Sequence, residues 1–311
     1  MTKENMKKYL TDPRELILGM DSYCCRRWGK RLIGDRFFIK LKFKIVMGYR
    51  INLKNPQTFN EKIRWLILYD RDPLYTKMAD KHLVREYVAE VLGREEAEKY
   101  LVPLLGVWER FEDIDFDQLP EQFVLKCNHD CGSIVTCEDK NGFNRAAAGI
   151  KLSQALKSDY YLPYRERHMK GIQPLIIAEK HLGVNIMDYK FFVFGGVVKM
   201  IKVDFDRFIE HKRNIYNEKW EYQDFSHSVP TDRNRHIPKP RNFDKMMELA
   251  TTLSGAKPFL RVDFYEIEDK LYLGELALAP TAGLRPFSPR EQDYTAGSWL
   301  TLPPKRNEKS R

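Results

Sequence analysis

The sequence predicts an α+β fold in which β-hairpins build antiparallel sheets and helices pack beside them. Residues 259–267 and 271–278 are rich in β-branched and aromatic residues, and a polar turn at 268–270 separates them. A second pair of such runs, 189–194 and 197–203, flanks a Gly-Gly turn. Helix and strand patterns follow one another in mixed order, which favours α+β architecture over a doubly wound parallel sheet.

Composition indicates a globular chain with anionic partners. The 311 residues are 43% hydrophobic and 31% charged, and the formal net charge is +9. No apolar run is long enough to cross a bilayer, and residues 1–15 lack the apolar core of a signal peptide. We therefore expect a cytoplasmic protein, free in solution or at the inner face of the membrane. The five cysteines lack CxxC spacing, which predicts free thiols rather than a zinc site.

Residues 16–50 mix apolar and basic side chains with almost no acids. Such a stretch is typical of an amphipathic helix pair whose lysines face water. It is equally typical of helices that lie on an anionic membrane, with Trp28, Phe37 and Phe38 at the interface. Both interpretations stay open, and we define residues 1–51 as a basic helical N-terminal segment.

Start signals and apolar spacing predict the next two helices. Thr58 or Asn60 is the expected N-cap of the first, with Glu61 in its first turn. Its apolar face carries Ile63, Leu66 and Ile67. A second helix is expected from about residue 73 to residue 93.

Residues 104–254 show the pattern of a sheet with intervening helices. Short apolar runs predict strands at 104–108, 123–127, 134–137 and 174–178. Apolar spacing predicts helices at 145–157 and 244–254. The stretch 206–240, rich in Asp, Asn and Pro, is expected to be a loop.

The late hairpin carries an acid in the middle of each strand. Alternation puts Arg261, Asp263 and Tyr265 on one face of the first strand. On the second strand, Glu275 is expected to share a face with Leu271, Leu273 and Ala277. A carboxylate among apolar neighbours needs a compensating cation. Arg261 is one candidate, and Mg²⁺, which prefers carboxylate and phosphate oxygens, is the other.

Three further constellations carry charge at strand ends. Lys126 lies in FVLKCNHDCGS, where a strand lysine enters a polar turn suited to phosphate, and a solvated lysine is the alternative. The strand PLIIA is followed directly by Glu179, and an acid in this position is common at sheet edges. Lys190 sits inside an aromatic strand and needs a buried partner, either a phosphate or an aspartate. A basic cluster, at residues 211–214, completes the set and has a solvated loop as its alternative.

Taken in order, these motifs resemble the TupA-like branch of the ATP-grasp superfamily, in which two α+β subdomains clamp Mg·ATP. The resemblance rests on short stretches of sequence: FNEKIRWL, LYTKMADKHLVREYV, LVPLLGVW, FVLKCNHDCGS, IIAEKHL, DYKFFVFGG, HKRNIY, FLRVDFYEI and YLGEL. It covers residues 52–303, with nucleotide-clamping lobes at about 101–180 and 181–303, and leaves 304–311 as a polar tail.

The resemblance implies a role for each matching position. Lys126 and Lys190 would contact the α- and β-phosphates of ATP. Adenine and ribose would be bound by Glu179, Lys180 and Leu182. Mg²⁺ would be coordinated by Asp263 and Glu275. The implied catalytic residues are Arg261, facing phosphate or an acyl phosphate, and Lys212 and Arg213 near the γ-phosphate, in a cluster with His211 and Asn214.

One position departs from the superfamily. ATP-grasp enzymes usually carry Asn two residues after the second metal-binding acid, and this chain has Ala277 there. The following segment, 276–283, reads LALAPTAG, whereas this branch tends to have LTF followed by a Pro-Gly-Ser-Gly type loop. The change removes side-chain hydroxyl and aromatic groups and one glycine. Altered metal affinity or acceptor recognition is therefore an open expectation.

The resemblance implies an ATP-dependent carboxylate–amine ligase of cell-surface polysaccharide biosynthesis. Its acceptor would be a small molecule or polysaccharide. Two alternatives stay open: a glycosyltransferase, for which Asp204-Phe205-Asp206 spells a DxD motif, and a non-catalytic binder of acidic glycans, which the basic charge favours. Scattered Lys and Arg without a recognition motif argue against nucleic-acid binding.

Overall fold

The computed structural model describes residues 13–28, 32–207 and 209–305. These form helices α1 (Pro13–Trp28), α2 (Asp35–Met47), α3 (Phe59–Tyr69), α4 (Leu74–Ala79), α5 (Val84–Leu92), α6 (Arg94–Tyr100), α7 (Arg145–Leu156), α8 (Phe243–Ser254) and α9 (Glu291–Trp299). The strands are β1 (Leu104–Trp108), β2 (Phe123–Cys127), β3 (Val135–Cys137), β4 (Ile176–Lys180), β5 (Asp188–Phe194), β6 (Val197–Phe205), β7 (Lys212–Tyr216), β8 (Ser226–His227), β9 (Phe259–Ile267), β10 (Lys270–Ala277) and β11 (Phe287–Ser288). The predicted α+β class and the helical N-terminal segment are confirmed.

The chain divides into two compact units. The first comprises Met1–Asp72, Asp159–Lys170 and Ala279–Arg311, and the second comprises Pro73–Ser158 and Gly171–Leu278. The boundaries expected from the sequence, at residues 52 and 303 for the domain and about 180 between its lobes, stay a prediction.

The second unit contains two antiparallel sheets. One has four strands in the order β1-β4-β2-β3, and the other has five in the order β10-β9-β5-β6-β7. The five-stranded sheet buries one face against α8, where Phe191, Val262 and Phe264 pack with Met246 and Leu249 in one apolar core. This packing removes large apolar side chains from water and is the main stabilising contribution to the unit. The opposite face of the sheet is polar and is described below.

Both predicted hairpins are present. β5 and β6 join through Gly195-Gly196, and both glycines have positive φ. β9 and β10 join through Glu268 and Asp269, whose φ angles of 48° and 68° are those of a two-residue hairpin turn. Lys270, expected in the turn, is the first residue of β10.

In the first unit, α3 begins with a capping box. Thr58 is the N-cap: its side chain accepts a hydrogen bond from the backbone N–H of Glu61, whose carboxylate accepts one from the backbone N–H of Thr58. Of the two candidate caps, Asn60 instead donates from its side-chain amide to Asp293 at 2.9 Å. The bond between Asn60 and Asp293 holds α3 to α9.

A buried ion network also lies in the first unit. The guanidinium of Arg165 pairs with Asp21 and stands 4.2 Å from the ring centre of Phe38. Asp35 accepts a hydrogen bond of 2.7 Å from the Tyr161 hydroxyl. Phe38 is 1% exposed, so its expected place at a membrane interface is wrong, because this cation–π contact and the core enclose it. Phe37 is 54% exposed, and the side chain of Trp28 lies outside the described residues.

Two element predictions are wrong. The single helix expected at 73–93 is broken into α4 and α5, because the Asp80 side chain accepts hydrogen bonds from the backbone N–H groups of His82 and Leu83. The stretch 206–240, expected to be a loop, contains β7 and β8. Within the described residues, no helix is both long enough and apolar enough to span a bilayer.

Candidate functional site

The polar face of the five-stranded sheet carries charged side chains in two rows across the strands. In the first row, Glu275 pairs with Asp263, Asp263 with Lys190, and Lys190 with Lys202. Residues paired across strands point to the same side of a sheet, so these four side chains lie side by side.

The second row lies beside the first. Tyr265 pairs with Asp188, Asp188 with Asp204, and Asp204 with Arg213. Arg261 stands on the same face, two residues before Asp263. We call this surface the charged face; it consists of Arg261, Asp263, Glu275, Lys190, Lys202, Asp188, Asp204 and Arg213.

A β-bulge at Gly274 brings Glu275 onto the charged face. The register shifts between Leu273, which pairs with Phe264, and Glu275, which pairs with Asp263. The extra residue turns Glu275 to the side opposite Leu273, whose side chain stays in the apolar core. The expectation that Glu275 shares a face with Leu271 and Leu273 is therefore wrong, although Ala277 does share its face.

Arg261 bridges the two acids of the hairpin. Its Nε donates to Asp263 Oδ1 at 2.6 Å and one Nη donates to Asp263 Oδ2 at 2.7 Å. The same Nη donates to Glu275 Oε2 at 2.8 Å. Arg261, one of the two compensating cations considered from the sequence, thus contacts both carboxylates.

Lys190 is buried among aspartates. Its Nζ lies 2.5 Å from Asp188 Oδ2, 2.8 Å from Asp263 Oδ2 and 4.0 Å from Asp204 Oδ2. Burial alone would lower the pKa of Lys190, but Asp263 and Asp188 outweigh burial and raise it. Burial raises the pKa of Asp188, and its Oδ1 is buried without a hydrogen-bond partner. Lys190 thus joins the two rows as a fixed cation.

Arg213 occupies the end of the second row. It donates to both carboxylate oxygens of Asp204, one at 2.7 Å, and to the backbone carbonyl of His227 at 3.0 Å. Burial would raise the pKa of Asp204, but the bonds from Arg213 hold it below its usual range. His211 lies 3.5 Å from the same carboxylate. Arg213 and His211 are therefore brought to the charged face.

The remaining members of the basic cluster point elsewhere. Because β7 is a strand, Lys212 and Asn214 lie on the side opposite Arg213. Lys212 Nζ pairs with Glu210 at 2.5 Å. The buried Asn214 amide donates to the Asp232 carbonyl and accepts from the Asp232 N–H, which anchors the following loop.

Lys126 and Glu179 form a second group on the four-stranded sheet. Lys126 Nζ lies 2.5 Å from Glu179 Oε2, and both side chains are mostly buried, at 16% and 12% exposed. They line a cleft together with Glu275. This cleft brings Lys126, Glu179 and Glu275 together.

The chain segment after Glu179 completes the set of expected residues. Lys180 ends β4 with an exposed side chain, and its backbone N–H donates to the Pro103 carbonyl at 3.0 Å. Leu182 lies two residues beyond the strand and is half-buried. The binding and catalytic roles expected of all these residues stay predictions.

Lys202 is a charged-face residue that the sequence reading missed. It is 1% exposed, its Nζ contacts Nδ1 of the buried His227, and it lies 4.1 Å from the ring centre of Phe192. Burial, followed by the charge of Arg213, holds the pKa of Lys202 well below its ordinary value. Alternation along β6 put it on the face of Asp204 and was the available signal.

The family model described as TupA-like ATPgrasp matches residues 61–301. No curated protein matches the sequence.

Several solved structures are similar at low identity. An L-amino acid ligase from Bacillus licheniformis aligns at 11% identity and a TM-score of 0.45, over 81% of this chain and 57% of that one. A D-alanine–D-alanine ligase from Helicobacter pylori aligns at 11% identity and a TM-score of 0.41, over 74% and 60%. A D-alanine–D-alanine ligase from Bacillus anthracis aligns at 16% identity and a TM-score of 0.36, over 65% and 57%. The chain thus spans less than two thirds of each of these structures.

The family match covers far more than half of the 311 residues and includes both sheets of the second unit. Its span begins in α3 and ends just after α9. The chain therefore belongs to the TupA-like ATP-grasp family.

Proposed function

We propose that the chain is an ATP-dependent carboxylate–amine ligase of cell-surface polysaccharide biosynthesis. The substrate carboxylate, from a sugar acid or an amino acid, attacks the γ-phosphorus of ATP, and the bond to the bridging oxygen breaks to release ADP. The amine then attacks the acyl carbon, inorganic phosphate leaves, and the amine proton passes to solvent. Such chemistry depends on positioning and charge cancellation more than on a protein nucleophile.

The observation that carries the proposal is the alternation of charge on the charged face. Arg261, Lys190 and Arg213 are each bonded to a carboxylate of the same face. A bare polyanion, such as an acidic glycan, would bring no cation for the four acids of this surface. A nucleotide triphosphate with its cation brings both charges, so the protein's cations can bind phosphate while the carboxylates bind the cation.

The donor chemistry of the hairpin fits Mg²⁺. Asp263 and Glu275 are cross-strand neighbours, and Glu275 is 38% exposed at the cleft. Among the described residues, no three His, Cys, Asp or Glu side chains form a metal-holding group, so phosphate oxygens would complete the coordination. Bound Mg²⁺ would neutralise charge on the non-bridging phosphate oxygens. The guanidinium of Arg261 now lies between the two acids and would turn to the transferred phosphoryl group.

The other residues have separate tasks in this proposal. Lys126 and Lys190 bind the α- and β-phosphates, and Glu179 binds the ribose from the same cleft. The backbone of Lys180 and the side chain of Leu182 bind the adenine edge and face. Arg213, on the charged face, is the better partner for the γ-phosphate than Lys212, which points to the other side of β7.

The test is calorimetric titration of the full chain with a non-hydrolysable ATP analogue, with and without Mg²⁺. We expect Mg²⁺-dependent binding to the wild type. Glu275→Gln should abolish the effect of Mg²⁺, because it removes one of two carboxylate ligands. Lys126→Ala should weaken binding about tenfold or more, since a charge-assisted hydrogen bond contributes about 1.5–3 kcal/mol.

The matched control is Glu218→Gln, an exposed acid in the loop after β7. It should bind like the wild type. Lys190→Ala is a poor variant for this test, because it would remove a buried cation that is bonded to both Asp188 and Asp263, at a cost of about 3–5 kcal/mol. Unchanged affinity in both Lys126→Ala and Glu275→Gln would contradict the site.

A second measurement tests the reaction. Phosphate release from ATP should require both a sugar acid or amino acid and an amine, and the product should contain an amide bond. Binding of a nucleotide sugar in place of ATP would favour a glycosyltransferase instead. Its DxD motif has little structural support, since Asp204 is bonded to Arg213 and Asp206 stands at the turn after β6 with φ of 51°.

A further inference from the structure

Large apolar side chains are concentrated on the surface of the first two helices. Of the fourteen exposed large hydrophobic residues in the described part of the chain, seven lie between residues 16 and 46. On α1, an exposed stripe at helical spacing consists of Leu16, Met20 and Tyr23, which are 44%, 52% and 58% exposed. Phe37, at the start of α2, is 54% exposed. Single exposed apolar residues are ordinary, but such a concentration marks an interaction surface.

Among the described side chains of this segment, the charges that face solvent are all positive. Residues 16–50 contain nine Lys and Arg but only two acids, Asp21 and Asp35. Both acids are turned inward, at 0% and 8% exposed. Asp21 accepts from Arg165 and from the Leu32 N–H, and Asp35 accepts from the Tyr161 hydroxyl.

Basic residues flank the exposed aromatic ring of α2. Arg36 and Lys40 are exposed, Lys44 is half-buried, and these three lie on the same side of the helix as Phe37. The opposite side packs inward through Phe38, Ile39 and Phe43. The helix thus has an apolar inner side and a basic outer side with an aromatic residue in it.

This combination selects one kind of partner. A second copy of the chain would bring the same positive surface against itself, and like charges repel across an interface. An anionic lipid surface attracts the cations and also accepts the apolar side chains, as it does for interfacial amphipathic helices. We propose that the exposed sides of α1 and α2 bind the surface of an anionic membrane, and we call them the membrane-binding face.

Sedimentation with lipid vesicles tests this proposal. The full chain is mixed with vesicles of phosphatidylcholine alone or with about one third phosphatidylglycerol. We expect binding to the anionic vesicles only, weakened by added salt because salt screens surface charge. The Lys40→Glu/Lys44→Glu variant should bind at least about tenfold more weakly, since each basic residue near such a surface contributes roughly fivefold. Phe37→Ser should lower binding about fivefold by removing an inserted ring.

Matched controls separate this face from the overall charge of +9. Lys157→Glu/Lys219→Glu makes the same change of net charge at exposed lysines of the second unit, and Ile150→Ser removes an apolar side chain that is 63% exposed there. Both should bind vesicles within about twofold of the wild type. None of the substituted side chains is fully buried, so unfolding temperatures should be unchanged, and ATP-analogue titration reports on the nucleotide site separately.

Three outcomes would overturn the proposal. The first is no binding to anionic vesicles. The second is equal loss of binding in the control and test variants, which would indicate non-specific attraction. The third is a concentration-dependent oligomer that Phe37→Ser dissociates and vesicles do not compete with, which would assign the face to a second copy.

Discussion

Lys202 is a side chain whose burial costs free energy in the protein without ligand, and whose charge would favour binding of a polyanion. It is enclosed between β5 and β7, and positive charges surround it at Arg213, Arg261 and Lys190. Burial and these neighbours favour the neutral amine. A bound polyanion would reverse this balance, because negative phosphate oxygens favour the protonated form.

The first prediction concerns Lys202→Met. Methionine has a similar length and no charge to bury, so the free energy of unfolding without nucleotide should rise by about 1 kcal/mol at pH 7. Affinity for the ATP analogue with Mg²⁺ should fall about tenfold. Chemical denaturation and calorimetric titration measure the two effects.

Lys199→Met is the matched control for this prediction. Lys199 lies three residues earlier on β6, at the bulge between the pairs of Phe192 and Val193, and is half-buried. We expect little change in nucleotide affinity. A loss of stability in Lys202→Met, with unchanged nucleotide affinity, would show that Lys202 serves only the fold.

At the scale of the element, the hairpin β9–β10 decides which side chains reach the charged face. The bulge at Gly274 inserts one residue, and this turns Glu275 away from the core side of β10. Glycine is required at position 274 because of a close contact and not because of its backbone angle. A Cβ there would stand 2.7 Å from the Tyr265 ring. Strand order alone would have left Glu275 on the wrong side of the sheet.

The second prediction is for Gly274→Ala. The added methyl must displace the Tyr265 ring or the bulge, so the free energy of unfolding should fall by about 1–3 kcal/mol. Nucleotide affinity with Mg²⁺ should fall more than affinity without it, because Glu275 moves relative to Asp263. The double variant Gly274→Ala/Tyr265→Ala relieves the contact and should recover part of the affinity. Normal stability and affinity in Gly274→Ala would mean that the ring yields freely.

Because β7 is a strand, the side chains of the basic cluster at residues 211–214 point to opposite faces of the sheet. Residues 212–216 pair with β6, so alternate side chains point to opposite faces. Arg213 reaches Asp204, whereas Asn214 reaches the loop at Asp232. A five-residue strand in a stretch rich in Asp, Asn and Pro has no strong periodic signal in the sequence. Its strand conformation comes from the pairing with β6.

At the scale of the whole molecule, both compact units bury ionisable side chains. The second unit encloses the charged face, and the first encloses Arg165 with Asp21 and Asp35. His168 belongs to the first unit, with a side chain 12% exposed. Burial lowers the pKa of His168 to about 4, since the nearest Glu166 oxygen, 3.8 Å away, is too distant for a hydrogen bond. The buried ionisable groups therefore together determine how the free energy of unfolding changes at low pH.

The third prediction concerns pH. The ordinary pKa of histidine is about 6.5, so between pH 6.5 and 4 the unfolded chain binds a proton that the folded chain excludes. Stability should accordingly fall as the pH is lowered through this window. In His168→Phe this contribution is absent. The variant should gain up to about 3 kcal/mol relative to the wild type between pH 7 and pH 4.

Denaturation of both proteins at the two pH values measures this difference. His82→Phe, at a half-buried histidine of the second unit, is the control and should follow the wild type. A parallel loss of stability in wild type and His168→Phe would contradict the assignment of acid sensitivity to His168.

The sequence by itself determined the α+β class, both hairpins, the start of α3 and the family, because each depends on local chemistry. Alternation, turn residues and caps act over a few residues and are readable along the chain. Tertiary structure alone decided that β7 forms, that the bulge turns Glu275 round and that Lys202 is buried beside His227. These outcomes depend on pairing between segments distant in sequence, and such pairing overrides local preference.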